Sequence, residues 1–303
     1  MIRLFGIPIR IHPLLWAVAA LSALTGHLLE ILVLFGVILI HELGHTAAAS
    51  SLAWRVREIR LLPFGGVLEV EESGSVPAWQ EAIVVLAGPA QNALMIAVAA
   101  LARHLGLWSE EWADYFIRVN AMIGLFNLLP ILPLDGGKLL QLALGLRLPY
   151  YQTLHAMYVI SLLNSALMIS VSLSVWQRWG IDLNLLMIGI FLFVSNWSDY
   201  RNLSYIFLRF LMGREARMAQ QHPGRFMARP LIVQAGSTLA QTVKQLRREV
   251  YHVIYVCDEH GRIRQVLPEL QLIRAYLAGK EQQYRAGNGD FRYNKSKLGE
   301  RRT

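Results

Sequence analysis

Six long stretches of the chain are rich in apolar residues and nearly free of Asp, Glu, Lys and Arg. A transmembrane helix needs about 20 mostly apolar residues, so these stretches are close to the length and composition of membrane spans. They cover residues 11–29, 31–54, 82–102, 119–134 (extended back to 115), 148–177 (with the helix itself at 155–176) and 183–198. We therefore predict a polytopic α-helical membrane protein with six transmembrane helices.

The overall composition supports a membrane protein and excludes several other classes. Charged residues make up 17% of the chain and hydrophobic residues 54%, whereas a soluble domain has about 25% charged residues. The single cysteine, Cys257, excludes a disulfide scaffold and a cysteine-rich metal site. Most basic residues near the spans fall on one side, and the positive-inside rule then places both termini in the cytoplasm.

A short apolar segment, IRLLPFGGVLEV at 59–70, is too short to cross a membrane. Pro63, Gly65 and Gly66 break it in the middle. We predict a re-entrant hairpin loop whose backbone faces protein or a water-filled cleft. An ordinary surface hairpin is the alternative.

The composition changes near residue 200, which divides the chain into four predicted regions. Residues 1–200 form the six-span domain, and 201–224 form a basic, amphipathic linker helix at the membrane surface. Residues 225–279 alternate between strand and helix patterns, which predicts a small α/β domain. Residues 280–303 are charged and poor in apolar residues, so we expect a disordered tail.

An HExxH motif, His41-Glu42-Leu43-Gly44-His45, interrupts the second apolar stretch. Residues four apart on a helix share a face, so both imidazoles can bind one metal ion. The adjacent Glu42 carboxylate can then act as a general base on a water molecule. Ionisable side chains within an apolar span are costly unless they are paired or coordinated. The alternative is three buried polar residues that serve helix packing.

A catalytic zinc ion usually has three protein ligands, so the two histidines leave one position to fill. Asp135 lies in the segment NLLPILPLDGG at 127–137, at the end of the fourth stretch. The second and fourth stretches run in the same direction, which brings both motifs to a similar depth on the cytoplasmic side. The prolines and glycines around Asp135 would break the helix and aim the carboxylate at the metal. A loop aspartate that caps the next segment is the alternative.

Asn127 has three roles open to it: orienting Asp135, bonding the backbone of a substrate strand, or packing between helices. A helical substrate must unwind before hydrolysis, because its carbonyl groups are already hydrogen-bonded. The glycine-containing hairpin offers an edge for an extended peptide. The candidate substrate-binding residues are therefore Asn127, Phe64, Gly65, Gly66 and Pro133.

Four motifs in order, HELGH (41–45), LLPFGGVLEVEE (61–72), AGP (87–89) and NLLPILPLDGG (127–137), resemble those of the site-2-protease-type intramembrane zinc metalloproteases. The motifs and spans cover nearly the whole chain. The resemblance implies one catalytic Zn²⁺ bound by His41, His45 and Asp135, with Glu42 as the catalytic base. It also implies hydrolysis of a peptide bond in a membrane-associated protein.

The segment IHPLLW (11–16), the LLPFGG loop and the short α/β end further resemble the members of that family that act in spore formation. This implies removal of the pro-sequence of sporulation sigma factor K in the outer forespore membrane, under the control of inhibitory membrane proteins. It also implies that 225–279 is a CBS-like domain that binds ATP. A single copy of that unit leaves an apolar sheet face uncovered, so we predict a homo-oligomer formed through it. No direct binding of nucleic acid is expected.

Two other functions compete with proteolysis: a membrane zinc transporter and a zinc-binding scaffold that does not cleave. A transporter needs ionisable residues along its membrane path, whereas this sequence has one cluster on one side. A scaffold has no need for the acid at Glu42. The sequence therefore favours a zinc metalloendopeptidase.

Overall fold

The computed structural model describes residues 2–4, 7–11, 24, 26, 28–62, 65–70, 76–179, 183–220 and 228–279. The described residues form two compact units: the first holds residues up to 147 together with 153–206, and the second holds 148–152 and the residues from 207 onward. Most of the predicted first span at 11–29, the break at 222–224 and the predicted tail at 280–303 lie outside the described residues.

Three helices form the centre of the first unit: α1 (Leu28–Ser51), α2 (Ala78–His104) and α3 (Glu110–Asn127). Helix α2 packs against both of the others, and α1 also contacts α3. The apolar core between them consists of Val37, Ile38, Met95, Val119 and Ile123. The central apolar stretches therefore do form packed helices, as the sequence predicts.

A four-stranded sheet accompanies these helices: β1 (Ile2–Leu4), β2 (Ile7–Ile11), β3 (Val56–Leu62) and β4 (Gly65–Val70), in that order across the sheet. The pair β3–β4 is the antiparallel hairpin that the sequence predicts, and β3 also pairs in parallel with β2. Strands β3 and β4 pack against α1. Strands β1 and β2 are not predicted from the sequence. They pair with each other in a short antiparallel hairpin, and β2 joins the rest of the sheet only through β3, fifty residues further along the chain.

The fourth predicted span ends earlier than expected. The sequence predicts helix as far as 134, but α3 ends at Asn127 and a turn-rich segment follows as far as Leu134. Pro130 lacks the N–H that a helix needs and disfavours helical geometry in the residue before it. Asp135 therefore begins a new helix, α4 (Asp135–Gly145), and does not lie at the end of the old one.

Two further long helices complete the first unit, α5 (Tyr150–Trp179) and α6 (Leu183–Arg201). Among the described residues, three segments are long and apolar enough to cross a membrane: Leu28–Ser51, Ala78–His104 and Tyr150–Ser174. The protein is therefore an integral membrane protein of mainly helical fold, with a small sheet region.

The second unit contains the start of α5, most of helix α7 (Leu203–Gln220) and a small α/β assembly. That assembly consists of β5 (Ala228–Gln234), α8 (Leu239–Val243), β6 (Tyr251–Cys257), β7 (Ile263–Pro268) and α9 (Glu269–Leu277). Strand β5 pairs in parallel with β6, which pairs antiparallel with β7. Side chains along β6 alternate between buried and partly exposed, since one face of the sheet is covered by helix and the other is not.

A buried ion pair ties α7 to this assembly. The guanidinium group of Arg214 donates to both carboxylate oxygens of Glu269 and to the carbonyl oxygens of Arg247, Arg248 and Val250. Burial opposes ionisation of Glu269, but its hydrogen bonds with His252 and the charge of Arg214 hold the pKa of this carboxyl group below its ordinary value.

Candidate metal centre

The two histidines of the HExxH motif lie on the buried face of α1. His41, Glu42 and His45 are each no more than 5% exposed. The histidines are four positions apart, so the helix sets their rings side by side, with the two Nε2 atoms 3.1 Å apart. Among the described residues, one donor atom from each of His41, Glu42 and His45 lies within 4.8 Å of the other two.

A stripe of α2 at positions 84, 88 and 92 faces these rings. The Nδ1 atom of His45 donates to the carbonyl oxygen of Val84 at 2.7 Å, and the Nδ1 atom of His41 lies 2.6 Å from Oδ1 of Asn92. Gly88 lies between these two contacts, and a methyl group there would overlap the His45 ring. The outer nitrogens of both rings are therefore bonded to α2, which directs both Nε2 atoms into the site.

Asp135 completes the cluster from a different part of the chain. Its Oδ2 atom lies 3.1 Å from Nε2 of His41 and 3.1 Å from Nε2 of His45. The side chain is buried, and it occupies the first turn of α4. The structure thus brings together the three residues that the sequence identifies as metal ligands, although 90 or more residues separate Asp135 from the histidines.

The segment that leads to Asp135 is held by two buried polar side chains. The N–H of Leu132 donates to Oγ of Ser161 at 2.9 Å, and Nδ2 of Asn196 donates to the carbonyl oxygen of Leu132 at 2.6 Å. Gly136 lies directly against the backbone of Leu128, where a side chain would collide with the carbonyl oxygen. These contacts fix the position from which the carboxylate enters the site.

The donor set fits a zinc ion. Zinc lies about 2.0–2.2 Å from imidazole nitrogen and carboxylate oxygen, so tetrahedral ligand atoms are about 3.3 Å apart. The three atoms found here are 3.1 Å from one another. At that separation two unprotonated ring nitrogens and a carboxylate oxygen repel one another, so a positive charge among them would be stabilising.

Two more charged groups border the cluster. Glu42 follows His41 directly, and its carboxylate lies beside the ring nitrogens and is not one of the three 3.1 Å contacts. The ammonium group of Lys138 lies 3.5 Å from Oδ1 of Asp135, the oxygen that does not contact the histidines. Glu42 is therefore placed for proton transfer, and Lys138 supplies a positive charge at the partly exposed border of the cluster.

The candidate substrate-binding residues do not gather around the cluster in the same way. The Asn127 amide donates to the carbonyl oxygen of Ile123 in its own helix at 3.1 Å, so the structure does not show it orienting Asp135. Gly65 and Gly66 begin β4, paired with Leu62 and Leu61, and Phe64 lies outside the described residues. Pro133 belongs to the segment that leads to Asp135.

Two asparagines that support the site were not predicted from the sequence. Asn92 contacts His41, and its Nδ2 atom donates to Oδ1 of Asn120 on α3 at 3.2 Å. An asparagine inside an apolar helix is the one available signal, since a buried amide needs partners. A buried asparagine in the sequence does not indicate which residue it contacts, so the position of Asn92 and Asn120 beside His41 could not be predicted.

Comparisons with known proteins show what this chain is similar to. The sequence profile of peptidase family M50 matches residues 29–109 and 105–171. Stage IV sporulation protein FB of Bacillus subtilis is 35% identical over 274 residues, which cover 90% of this chain and 92% of that protein. A zinc metalloprotease of Methanocaldococcus jannaschii is 28% identical over 165 residues, 50% of this chain and 48% of that protein.

The fold is similar to that of a solved structure. The site-2 protease from Methanocaldococcus jannaschii superposes with a TM-score of 0.54 at 23% sequence identity, and the match covers 66% of this chain and 94% of that one. The two chains therefore share a fold.

Proposed function

The chain belongs to peptidase family M50 and is a membrane zinc metalloprotease of the site-2 type, and from this premise we propose how its residues act. His41, His45 and Asp135 hold the zinc ion, and Glu42 is the catalytic base. The observation that carries this proposal is the triangle of two Nε2 atoms and one carboxylate oxygen, each 3.1 Å from the others and all buried.

The reaction is hydrolysis of a peptide bond. When bound, zinc polarises the scissile carbonyl and acidifies the attacking water. The Glu42 carboxylate accepts a proton from that water and later delivers it to the nitrogen of the leaving amine. Asp135 and the two histidines hold the zinc ion in place, and the surrounding helices exclude bulk water.

The substrate is an extended peptide from a membrane-associated protein. Strand β4 is an edge of the described sheet and packs against α1, which carries the HExxH motif. An unwound peptide can add to this edge through main-chain hydrogen bonds. Phe64, Gly65, Gly66, Asn127 and Pro133 are the proposed contacts, with the glycines leaving room for a backbone to approach closely.

The biological substrate is the pro-sequence of sporulation sigma factor K. Support comes from the similarity to a sporulation protein over 90% of the chain. By the same similarity, inhibitory membrane proteins control the enzyme in the outer forespore membrane. A metal transporter or a non-cleaving scaffold is not favoured, because relatives are named zinc metalloproteases and Glu42 stands beside the ligands.

The proposal extends to topology and to the C-terminal α/β assembly. Six spans with a re-entrant hairpin and both termini in the cytoplasm follow from the apolar stretches and the basic residues. The assembly acts as a CBS-like ATP-binding domain that joins copies of the chain. The exposed apolar side chains of Ile232 and Val266 on its sheet support such contact, since they are 70% and 50% exposed.

Cleavage by the purified full-length chain tests this proposal. The parent protein and Glu42→Gln are incubated in detergent with a pro-sigma-K substrate, and the products are separated on a gel. The parent should cleave, lose activity to a chelator and regain it with zinc, whereas Glu42→Gln should keep its zinc and its fold but not cleave. Cleavage by Glu42→Gln at the parent rate would show that Glu42 is not the base.

A further inference from the structure

We propose that Asn92 and Asn120 are positioning residues that fix His41 in the tautomer with its proton on Nδ1. The inference rests on the proposed zinc centre, because only an unprotonated Nε2 atom can bind the metal. Neither tautomer of a histidine is favoured strongly on its own, so the partner of the other ring nitrogen decides between them.

Three hydrogen bonds connect His41 to the backbone of a different helix. Nδ1 of His41 lies 2.6 Å from Oδ1 of Asn92, and Nδ2 of Asn92 donates to Oδ1 of Asn120 at 3.2 Å. Nδ2 of Asn120 then donates to the carbonyl oxygen of Phe116 at 2.9 Å. The chain of bonds thus runs from α1 across α2 to α3.

The direction of this chain follows from its last member. A backbone carbonyl oxygen can only accept, so the side of Asn120 that faces Phe116 must be its NH₂ group. The oxygen of Asn120 then faces Asn92, and an oxygen again accepts only. Asn92 must therefore present its own NH₂ group to Asn120 and its oxygen to His41. The Nδ1 atom of His41 consequently carries the proton, and its Nε2 lone pair points at Asp135.

Reversal of either amide would break this order. A rotated Asn92 would offer its NH₂ group to Nδ1 of His41 and favour the tautomer with the proton on Nε2. That proton would occupy the position of the metal. His45 needs no asparagine to set its tautomer, because its Nδ1 atom donates directly to the carbonyl oxygen of Val84.

Burial of Asn92 and Asn120 between packed helices preserves this order of donors and acceptors. Asn92 is 2% exposed and Asn120 is fully buried, so water cannot easily replace either partner. Gly124 on α3 brings that helix close, since a methyl group there would lie 3.3 Å from Cβ of Asn92. The bonds therefore lie between packed helices, where an amide cannot rotate without losing its partners.

Cobalt binding tests the inference without relying on activity. The full-length chain is purified in detergent, stripped of metal and titrated with Co²⁺ against a competing chelator, and the visible absorption of the bound ion is recorded. The variants are Asn92→Leu, Asn92→Asp, Asn120→Leu and the double variant of the last two. Asn164→Leu is the matched control, because its amide bonds only within its own helix, to the carbonyl oxygen of Ile160.

Asn92→Leu should bind Co²⁺ about 10–100-fold more weakly, as for other residues that orient a metal ligand. Asn92→Asp should bind Co²⁺ more tightly than Asn92→Leu, because the carboxylate oxygen that faces His41 only accepts and so enforces the same tautomer. Its second oxygen replaces the NH₂ group that donates to Oδ1 of Asn120, so binding should recover in part. Asn120→Leu should weaken binding when residue 92 is an amide that can rotate. Asn120→Leu should have little effect on Co²⁺ affinity when it is combined with Asn92→Asp. If Asn120 served only packing, Asn120→Leu would lower the affinity equally in the parent protein and in the Asn92→Asp variant.

Parental affinity and an unchanged spectrum in folded Asn92→Leu would overturn the inference, while the zinc centre would stand. An Asn120→Leu loss of equal size in the Asn92→Asp background would also overturn it. Failure of the parent protein itself to bind Co²⁺ or Zn²⁺ would overturn the proposed function, and the inference with it.

Discussion

Replacement of Gly88 by alanine should disable the metal centre through a single added methyl group. The new carbon would lie 2.7 Å from Nε2 of His41 and would overlap the ring of His45. Ordinary contact begins at 3.4 Å, so the His41 ring alone would have to retreat by about 0.7 Å. It cannot do so freely, because both rings are bonded to α2 through their Nδ1 atoms.

The expected magnitude follows from this displacement. A misplacement of about 1 Å can cost about 100-fold in rate, and disturbed metal-ligand orientation costs about 10–100-fold in metal affinity. Gly88→Ala should therefore bind zinc at least about 10-fold more weakly and cleave correspondingly less. The added strain should also destabilise the fold by about 1–3 kcal/mol.

Chelator competition and thermal unfolding in detergent measure both effects. Gly36→Ala is the control, since Gly36 lies on the same helix as the histidines and a methyl group there meets nothing within 4 Å. It should keep parental affinity and gain up to about 1 kcal/mol in helix stability. Folded Gly88→Ala with parental zinc affinity would refute the reasoning, because the rings would then have room that the structure does not show.

Three further predictions concern other contacts. Arg214→Met should destabilise the second unit by about 3 kcal/mol or more, because it leaves the Glu269 carboxylate buried without the charge of Arg214. Thermal unfolding measures this loss, and Arg209→Met is the control, since Arg209 is exposed. Because its pKa is lowered in the folded state, Glu269 stabilises the fold above its ordinary value of 4.5, and this contribution should disappear as the pH falls through the lowered value. Unfolding followed from pH 6 to about pH 3 should show an acid loss that Glu269→Gln reduces; equal losses would contradict the prediction. Ser161→Ala should weaken zinc binding, since it frees the segment that carries the third ligand, whereas the exposed Ser170→Ala should not, as chelator competition would show.

The histidine pair of the proposed zinc site could be predicted because it depends on a local rule. The spacing of His41 and His45 places both rings on one helix face whatever surrounds the helix. Asp135 stands out as a carboxylate among apolar residues, prolines and glycines. The prediction was wrong at the boundary beside it, because the helix ends at Asn127, before Pro130, and does not continue to 134.

The support of the ligands could not be predicted, because it depends on partners far apart in the chain. Asn92 lies 51 residues from His41, and Asn120 lies 28 residues further on. In the sequence each is one polar residue in an apolar helix, with no indication of its neighbour. Strand β2 was not predicted for a similar reason, since it reaches its parallel partner β3 only after α1 has intervened.

Anomalous X-ray scattering at the zinc edge, from crystals of the full-length protein, would locate the metal ion itself. We expect one strong peak per chain, about 2.1 Å from Nε2 of His41, Nε2 of His45 and Oδ2 of Asp135. A peak bound elsewhere, or a zinc-saturated protein whose Asp135 side chain points away from both imidazoles, would contradict it.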